Sequence, residues 1–139
     1  MFKVSVVIPT YNRLHRLEQV LDAFAQQTFA HTDFEILVIS DGSSDGTHEY
    51  LAQLTTPYRL NWRTQANQGP AVARNTGIAQ AQGEYILFVD DDVVPTATLI
   101  AEHMRITTCM AIRRSCLAQC LRHKISQCLP GCAGNKRCL

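Results

Sequence analysis

The sequence of 139 residues contains no apolar run near the ~20 residues that a helix needs to cross a bilayer. Its first apolar segment ends at Pro9 after only a few residues, so it also lacks the layout of a signal peptide. With 46% hydrophobic and 18% charged residues, the composition is that of an ordinary soluble globular protein. We therefore expect one domain, or most of one, in the cytoplasm or at the inner face of the membrane.

Acidic residues are absent from residues 105–139, and cysteines are absent from residues 1–104. The first 104 residues carry twelve acidic and six basic side chains, a net charge of −6, whereas the remainder carries seven basic ones, a net charge of +7. The six cysteines contain no C-x₂-C pair, which argues against a zinc ribbon, and disulfides need an oxidising compartment. We predict that residues 105–139 form a basic, cysteine-rich tail outside the fold, and we hypothesise a frame-shifted reading after Met104.

Two other chemical signals are missing. A glycine-rich loop bearing a lysine, which would hold a triphosphate, does not occur near the N-terminus, because residues Thr10–Leu14 contain no glycine. The histidines are scattered without the spacing of metal ligands, and we interpret none of them as metal-binding. They are His15, His31, His48, His103 and His123.

Strand patterns and helix patterns alternate along residues 1–104. Short apolar runs predict strands over Val4–Ile8, Phe34–Ile39, Tyr58–Thr64 and Tyr85–Val89. Helical spacing or small-residue content predicts helices over 14–24, after an N-cap at Asp45, over Gly69–Ala81 with Gly83 as its cap, and over Thr96–Met104. Repeated strand–helix units predict an α/β fold with a parallel sheet and helices on both faces.

Polar loops follow three of the predicted strands. The loops are Thr10-Tyr11-Asn12, Asp41-Gly42-Ser43 and Asp90-Asp91-Asp92. In a parallel sheet these loops lie along one edge, where ligands bind in open α/β proteins. Arg74, on the helix between them, can reach a phosphate as a bidentate cation. The combination fits a nucleoside diphosphate with its metal.

The aspartate triplet is the candidate metal site. Side chains of an extended chain alternate, so we expect Asp90 and Asp92 on one side and Asp91 on the other. Two converging carboxylates suit Mg²⁺ or Mn²⁺, which would bring a phosphate with it. The alternative interpretation is a solvated acidic turn before a helix opened by Pro95.

Structural interpretations also exist for the other candidate residues. Asp41, which precedes a glycine, could cap the turn that follows it. Tyr11 could be a half-buried packing aromatic. Arg74 could pair with a surface carboxylate instead of a phosphate.

Four stretches of the chain, in this order, carry a resemblance to a known family. They are Val4–Arg13 (VSVVIPTYNR), Ile39–Thr47 (ISDGSSDGT), Asn67–Gly77 (NQGPAVARNTG) and Gly83–Asp92 (GEYILFVDDD). By these motifs, residues 3–104 resemble the N-terminal part of a family-2 glycosyltransferase of the GT-A fold. The resemblance implies a Rossmann-like, nucleotide-sugar-binding domain, here truncated and incomplete.

The resemblance also implies roles for single residues. Thr10, Tyr11 and Asp41 would hold the base and ribose, and Arg74 would lie near the diphosphate, with Asp91 also on the nucleotide. Asp90 and Asp92 would hold Mn²⁺ or Mg²⁺, and Asp92 would be the direct ligand. The donor would be a UDP- or dTDP-linked sugar and the acceptor a glycan, lipid or protein. We expect no nucleic-acid partner, and a peripheral membrane association stays open.

The departure from the family concerns the acceptor. Family members continue well past the metal motif, and their later half supplies the acceptor pocket and a carboxylate base. Because residues 105–139 contain no Asp or Glu, we expect this chain to transfer weakly or not at all. Two alternatives to a glycosyltransferase are a non-catalytic nucleotide-sugar-binding remnant and a metal-dependent nucleotidyltransferase.

Overall fold

The computed structural model describes residues 2–108. The chain divides into two compact units, Met1–Leu99 and Ile100–Leu139, and of the second unit only the helical residues 100–108 are described. The predictions made for the cysteines and for most of the tail lie outside the described residues. The predicted boundary after residue 104 stays a prediction.

Four strands and three helices alternate in the first unit. They are β1 (Val4–Thr10), α1 (Leu14–Ala25), β2 (Phe34–Ser40), α2 (Thr47–Gln53), β3 (Arg59–Thr64), α3 (Pro70–Gln80) and β4 (Tyr85–Phe88). The last predicted helix begins at residue 99 and not at Thr96, because the chain still turns over residues 97–98. Among residues 2–108, no helix is long and apolar enough to cross a membrane.

The sheet is parallel and has the order β3-β2-β1-β4. Val4 lies opposite Phe34 of β2 and opposite Tyr85 of β4, and Thr10 lies opposite Ser40. The two central strands, β1 and β2, are buried over their whole lengths. This register confirms the predicted α/β fold and brings the carboxyl ends of β1, β2 and β4 to one edge.

Two glycines let α3 and the chain after it approach β1 closely. A Cβ atom on Gly77 would lie 2.3 Å from Cγ1 of Val7, so only glycine lets α3 pack this closely on the strand. A Cβ on Gly83 would lie 2.6 Å from the backbone nitrogen of Ser5. The prediction that Gly83 caps α3 is wrong, because the helix ends at Gln80 and the glycine is needed for contact with β1.

A buried carboxylate fixes the same connection at the opposite end of the sheet from the polar loops. Glu35 is 0% exposed, and its Oε1 accepts hydrogen bonds from the Ser5 hydroxyl (2.6 Å) and the Gln82 backbone N–H (2.8 Å). The Gly83 backbone N–H donates in turn to the Ser5 hydroxyl (2.8 Å). Because buried polar groups are costly unless hydrogen-bonded, this network fixes the chain that leads into β4.

Candidate functional site

A cleft of about 500 Å³ opens at the carboxyl edge of the sheet. It is lined by Pro9, Thr10, Tyr11, Arg13, Asp41, Asn67, Gly69, Pro70, Arg74, Asp90, Asp91 and Asp92. The structure therefore brings together all of the residues that the sequence singled out for nucleotide and metal. Their individual roles stay predictions.

The loops after β1 and β2 hold each other in place. The backbone N–H of Asn12 donates to the Ser43 hydroxyl (3.0 Å), and the backbone N–H of Ser44 donates to Oδ1 of Asn12 (2.7 Å). Asn12 has a left-handed backbone with φ of 51°, a conformation that asparagine tolerates better than most residues. This reciprocal pair fixes the position of Tyr11, whose side chain lines the cleft and which is 47% exposed.

Asp45 ties the second loop to two helices. The N-cap of α2 is Gly46, so the prediction that Asp45 occupies that position is wrong. Its carboxylate instead accepts hydrogen bonds from the backbone N–H groups of Leu14 (2.8 Å) and Thr47 (3.3 Å), the first residues of α1 and α2. Burial would raise the pKa of Asp45, but hydrogen bonds from Thr47 and Leu14 outweigh it and lower that pKa.

Asp41 is the carboxylate at one side of the cleft. Its Oδ1 accepts hydrogen bonds from Nε2 of Gln65 (2.8 Å) and the backbone N–H of Gln68 (2.9 Å), and its Oδ2 accepts one from the backbone N–H of Gly69 (2.8 Å). Asp41 is only 5% exposed, because the chain that enters α3 folds over it. Oδ2 keeps a second lone pair for a ligand donor.

The hydrogen bonds also determine the charge of Asp41. Burial would raise its pKa, but the donors Gln68, Gln65 and Gly69 outweigh that effect and lower the pKa. Asp41 is therefore an anion at neutral pH. Its partners lie more than twenty residues along the chain, so its carboxylate does not cap the turn that follows it.

Arginines neutralise the aspartate triplet at the other side of the cleft. Nη1 of Arg13 donates to Oδ1 of Asp91 (3.1 Å) and to Oδ2 of Asp92 (3.2 Å). Nη2 of Arg74 donates to Oδ1 of Asp90 (2.6 Å). Arg74 thus pairs with a surface carboxylate, as the alternative interpretation of this residue predicted. That carboxylate is Asp90, a member of the triplet.

The alternation expected across the triplet is wrong. Asp91 and Asp92 reach the same arginine nitrogen, whereas Asp90 turns to a different one. The reason is that β4 ends at Phe88, and the carbonyl of Asp90 accepts the backbone N–H of Val93 (3.2 Å) in a turn. Alternation holds only while the chain stays extended.

Burial also separates the members of the triplet. The Asp91 side chain is 7% exposed, and its Oδ2 accepts a hydrogen bond from the hydroxyl of the buried Thr10 (2.9 Å). The side chains of Asp92 and Asp90 are 38% and 54% exposed. Asp91 is therefore fixed to β1, while its neighbours are accessible to a ligand.

Arg13 was missed by sequence reasoning as a site residue. Arg13 follows the first polar loop directly, and Asn67, Gly69 and Pro70 of the cleft wall fall within the quoted motifs without an assigned role. The available signal for Arg13 was a cation directly after a polar loop that was expected at the same sheet edge as the aspartate triplet. Nothing local in the sequence shows that Gly69 donates to Asp41, because that contact depends on the fold.

The carboxylates of the triplet fit a divalent cation that is held partly by the protein and partly by a phosphate of its ligand. Among residues 2–108, no group of three or more His, Cys, Asp or Glu side chains is placed to hold a metal ion alone. Asp91 and Asp92 nevertheless converge on one positively charged nitrogen. Magnesium sites commonly use one or two carboxylates together with substrate phosphates and water.

A comparison with protein families identifies the class. The family model described as glycosyl transferase family 2 matches residues 5–106. The chain belongs to this family. This confirms the family resemblance seen in the sequence and, with it, the class of enzyme, a glycosyltransferase.

Curated relatives share the matched region. An uncharacterized glycosyltransferase of Rickettsia felis is 43% identical over 90 residues, which cover 65% of this chain and 15% of that protein. The poly(ribitol-phosphate) beta-N-acetylglucosaminyltransferase TarS of Staphylococcus aureus is 38% identical over 106 residues, covering 71% of this chain and 18% of that enzyme. This chain thus spans less than a fifth of either relative.

Solved structures confirm the GT-A fold. The crystal structure of residues 1–349 of TarS in complex with UDP-GlcNAc matches with a TM-score of 0.70 and 32% identity, over 75% of this chain and 30% of that one. The mannosyltransferase PcManGT of Pyrobaculum calidifontis in complex with GDP-Man and Mn²⁺ matches with a TM-score of 0.65 and 29% identity, over 69% and 29% of the two chains. Members of this fold thus bind nucleotide sugars, one of them with a divalent metal.

Proposed function

We propose that this chain is the donor-binding part of a family 2 glycosyltransferase and takes a UDP- or dTDP-linked sugar with Mn²⁺ or Mg²⁺. One observation carries the proposal: a single cleft of about 500 Å³ joins the buried carboxylate of Asp41 to the aspartate triplet and to Arg13 and Arg74. A cleft of this volume suits a small molecule. The neighbours with UDP-GlcNAc and with GDP-Man and Mn²⁺ support the same ligand class.

Different residues of the cleft would contact different parts of the ligand. The imide N–H of uracil or thymine would donate to the remaining lone pair of Asp41 Oδ2, with the exposed ring of Tyr11 beside the base or ribose. Thr10 would act by holding Asp91, to which its hydroxyl already donates. Arg74 would leave Asp90 for the diphosphate, where a guanidinium forms charge-assisted hydrogen bonds.

The triplet would hold the divalent cation. Asp92, more exposed than Asp91, is the proposed direct ligand, and Asp91 and Asp90 keep the negative charge around it. When bound, the metal neutralises negative charge on the leaving diphosphate. The chain's own contribution is to fix the anionic oxygens next to the diphosphate.

Efficient transfer is not part of the proposal for these 139 residues. The carboxylates that line the cleft are Asp41 and the aspartate triplet, which are assigned above to the base and to the metal, so none of them is assigned to deprotonating an acceptor hydroxyl. General-base catalysis typically contributes about 10²–10⁴-fold in rate. We therefore propose donor binding with slow hydrolysis. The acceptor (glycan, lipid or protein) and the location (cytoplasm, or the inner membrane face) remain as predicted from the sequence.

A calorimetric screen tests the proposal. The chain is titrated with UDP, dTDP and GDP, each with Mn²⁺ and with EDTA, and UDP or dTDP with Mn²⁺ should bind tightest. Asp33→Asn is the matched control, because Asp33 is a carboxylate paired with Lys3 (2.7 Å) and does not line the cleft. Absence of binding by all three nucleotides would overturn the proposal, and turnover of UTP with a sugar phosphate would favour a nucleotidyltransferase.

A further inference from the structure

Arg13 occupies a position that a metal ion would use. Its Nη1 lies 3.1 Å from Asp91 Oδ1 and 3.2 Å from Asp92 Oδ2, so a single positive nitrogen bridges the two carboxylates. Among residues 2–108, Arg74 makes no such bridge, because its guanidinium pairs with Asp90 alone. The two triplet oxygens that converge are thus the two that Arg13 neutralises.

A divalent cation and this guanidinium exclude each other. Mg²⁺ binds oxygen at about 2.0–2.1 Å, so a metal bound to Asp92 Oδ2 on the side facing Asp91 would lie in the space that Nη1 holds. Two cations at that separation also repel each other strongly. The Arg13 side chain is 51% exposed, and exposed ion pairs are weak enough to exchange.

We propose that Arg13 is an internal substitute for the metal: it holds Asp91 and Asp92 together in the free protein and is displaced when metal and nucleotide bind together. Because Arg13 lines the cleft, its freed guanidinium stays within reach of the diphosphate and can donate to it. The proposal rests on the function proposed above and adds a positioning residue to it.

A coupling between ligands follows. Metal alone must compete with Arg13, whereas metal that arrives with a diphosphate offers the displaced guanidinium a new partner. The two ligands should therefore bind cooperatively, and by linkage each raises the affinity of the other by the same factor. Without the Arg13 charge, metal should bind the empty cleft more tightly and the coupling should shrink.

Arg16 is the matched control. It is an exposed arginine of the same segment, and its Nη1 lies 3.7 Å from Asp92 Oδ2 without bridging to Asp91. Arg16→Gln removes the same charge close to the same carboxylate but leaves the bridge intact. Arg13→Lys keeps a cation at the bridging position.

The experiment is a Mn²⁺ titration followed by electron paramagnetic resonance, with and without UDP, on the wild type, Arg13→Gln, Arg13→Lys and Arg16→Gln. We expect Arg13→Gln to bind Mn²⁺ alone about fivefold more tightly than the wild type, with Arg16→Gln and Arg13→Lys within about twofold. UDP should raise the Mn²⁺ affinity of the wild type more than that of Arg13→Gln. Thermal melts establish that each variant is folded.

Three results would overturn the proposal while leaving donor binding intact. The first is that the wild type binds Mn²⁺ and UDP but Arg13→Gln binds Mn²⁺ no more tightly than the wild type does. The second is an equal gain in Mn²⁺ affinity in Arg13→Gln and Arg16→Gln, which would show a general charge effect. The third is independent binding of Mn²⁺ and UDP by the wild type, whatever the variants do. Absence of any UDP binding would overturn the proposed function together with this inference.

Discussion

The two sides of the cleft hold their carboxylates in different ways. On the Asp41 side, two backbone N–H groups and the side-chain amide of Gln65 donate hydrogen bonds to a buried carboxylate. On the triplet side, arginine side chains neutralise carboxylates that are up to 54% exposed. Backbone donors cannot leave without unfolding the loop, whereas a guanidinium can rotate away. The Asp41 side is therefore preformed, and we expect one cation to replace another on the triplet side.

The largest expected effect is a difference in stability between variants on the two sides of the cleft. Asp41→Ala removes the charged acceptor shared by the backbone N–H groups of Gln68 and Gly69, and a hydrogen bond to a charged group contributes about 1.5–3 kcal/mol. We expect the free energy of unfolding to fall by about 2–4 kcal/mol in urea denaturation. Asp90→Ala, which removes an exposed ion pair, should cost less than about 1 kcal/mol. Equal losses in the two variants would mean that the sides do not differ.

Nucleotide affinity should respond most on the triplet side when metal is present. Asp92→Asn removes an anionic oxygen from the proposed metal position, and we expect the Mn²⁺-dependent affinity for UDP to fall about tenfold or more. Calorimetry with Mn²⁺ measures this, and Asp33→Asn provides the control. An affinity unchanged by Asp92→Asn would remove Asp92 from the metal site.

Within the triplet, Asp91 should behave partly like Asp41. Its buried carboxylate accepts hydrogen bonds from Thr10 and Arg13, and bonds to charged groups contribute about 1.5–3 kcal/mol. Since asparagine keeps one acceptor, Asp91→Asn should lower the free energy of unfolding by about 1 kcal/mol, and Asp92→Asn by less. Both should weaken Mn²⁺ binding, because both carboxylates converge on one position. A larger stability loss in Asp92→Asn would contradict this order.

The smallest expected effect is a dependence on acid pH. The folded state lowers the pKa of Asp41, so the stability that its charge contributes is present above its ordinary pKa of about 4 and is lost as the pH falls through the lowered value. The free energy of unfolding should therefore decline below about pH 4, and the decline should be shallower in Asp41→Asn. Between pH 6 and 8 the two slopes should agree. A steeper decline at acid pH in the variant would contradict a lowered pKa for Asp41.

Much of this architecture could be predicted from local sequence. Apolar runs placed all four strands, and three polar loops at strand ends placed the cleft, because parallel strands end at one edge. The directions of the three aspartate side chains in the triplet could not be predicted, because they depend on where β4 ends and the turn at Asp90 begins. Likewise, the burial of Asp41 depends on residues 65–69, which come near it only in the folded chain.

The central claim is that one ligand spans both sides, with its base at Asp41 and its metal-bound diphosphate at the triplet. Calorimetric titrations with uridine and with UDP, each with and without Mn²⁺, test it most directly. We predict that Mn²⁺ raises the affinity for UDP at least tenfold and leaves the affinity for uridine unchanged, because uridine reaches only the preformed side. An equal effect of Mn²⁺ on both ligands, or no effect on UDP, would contradict the account.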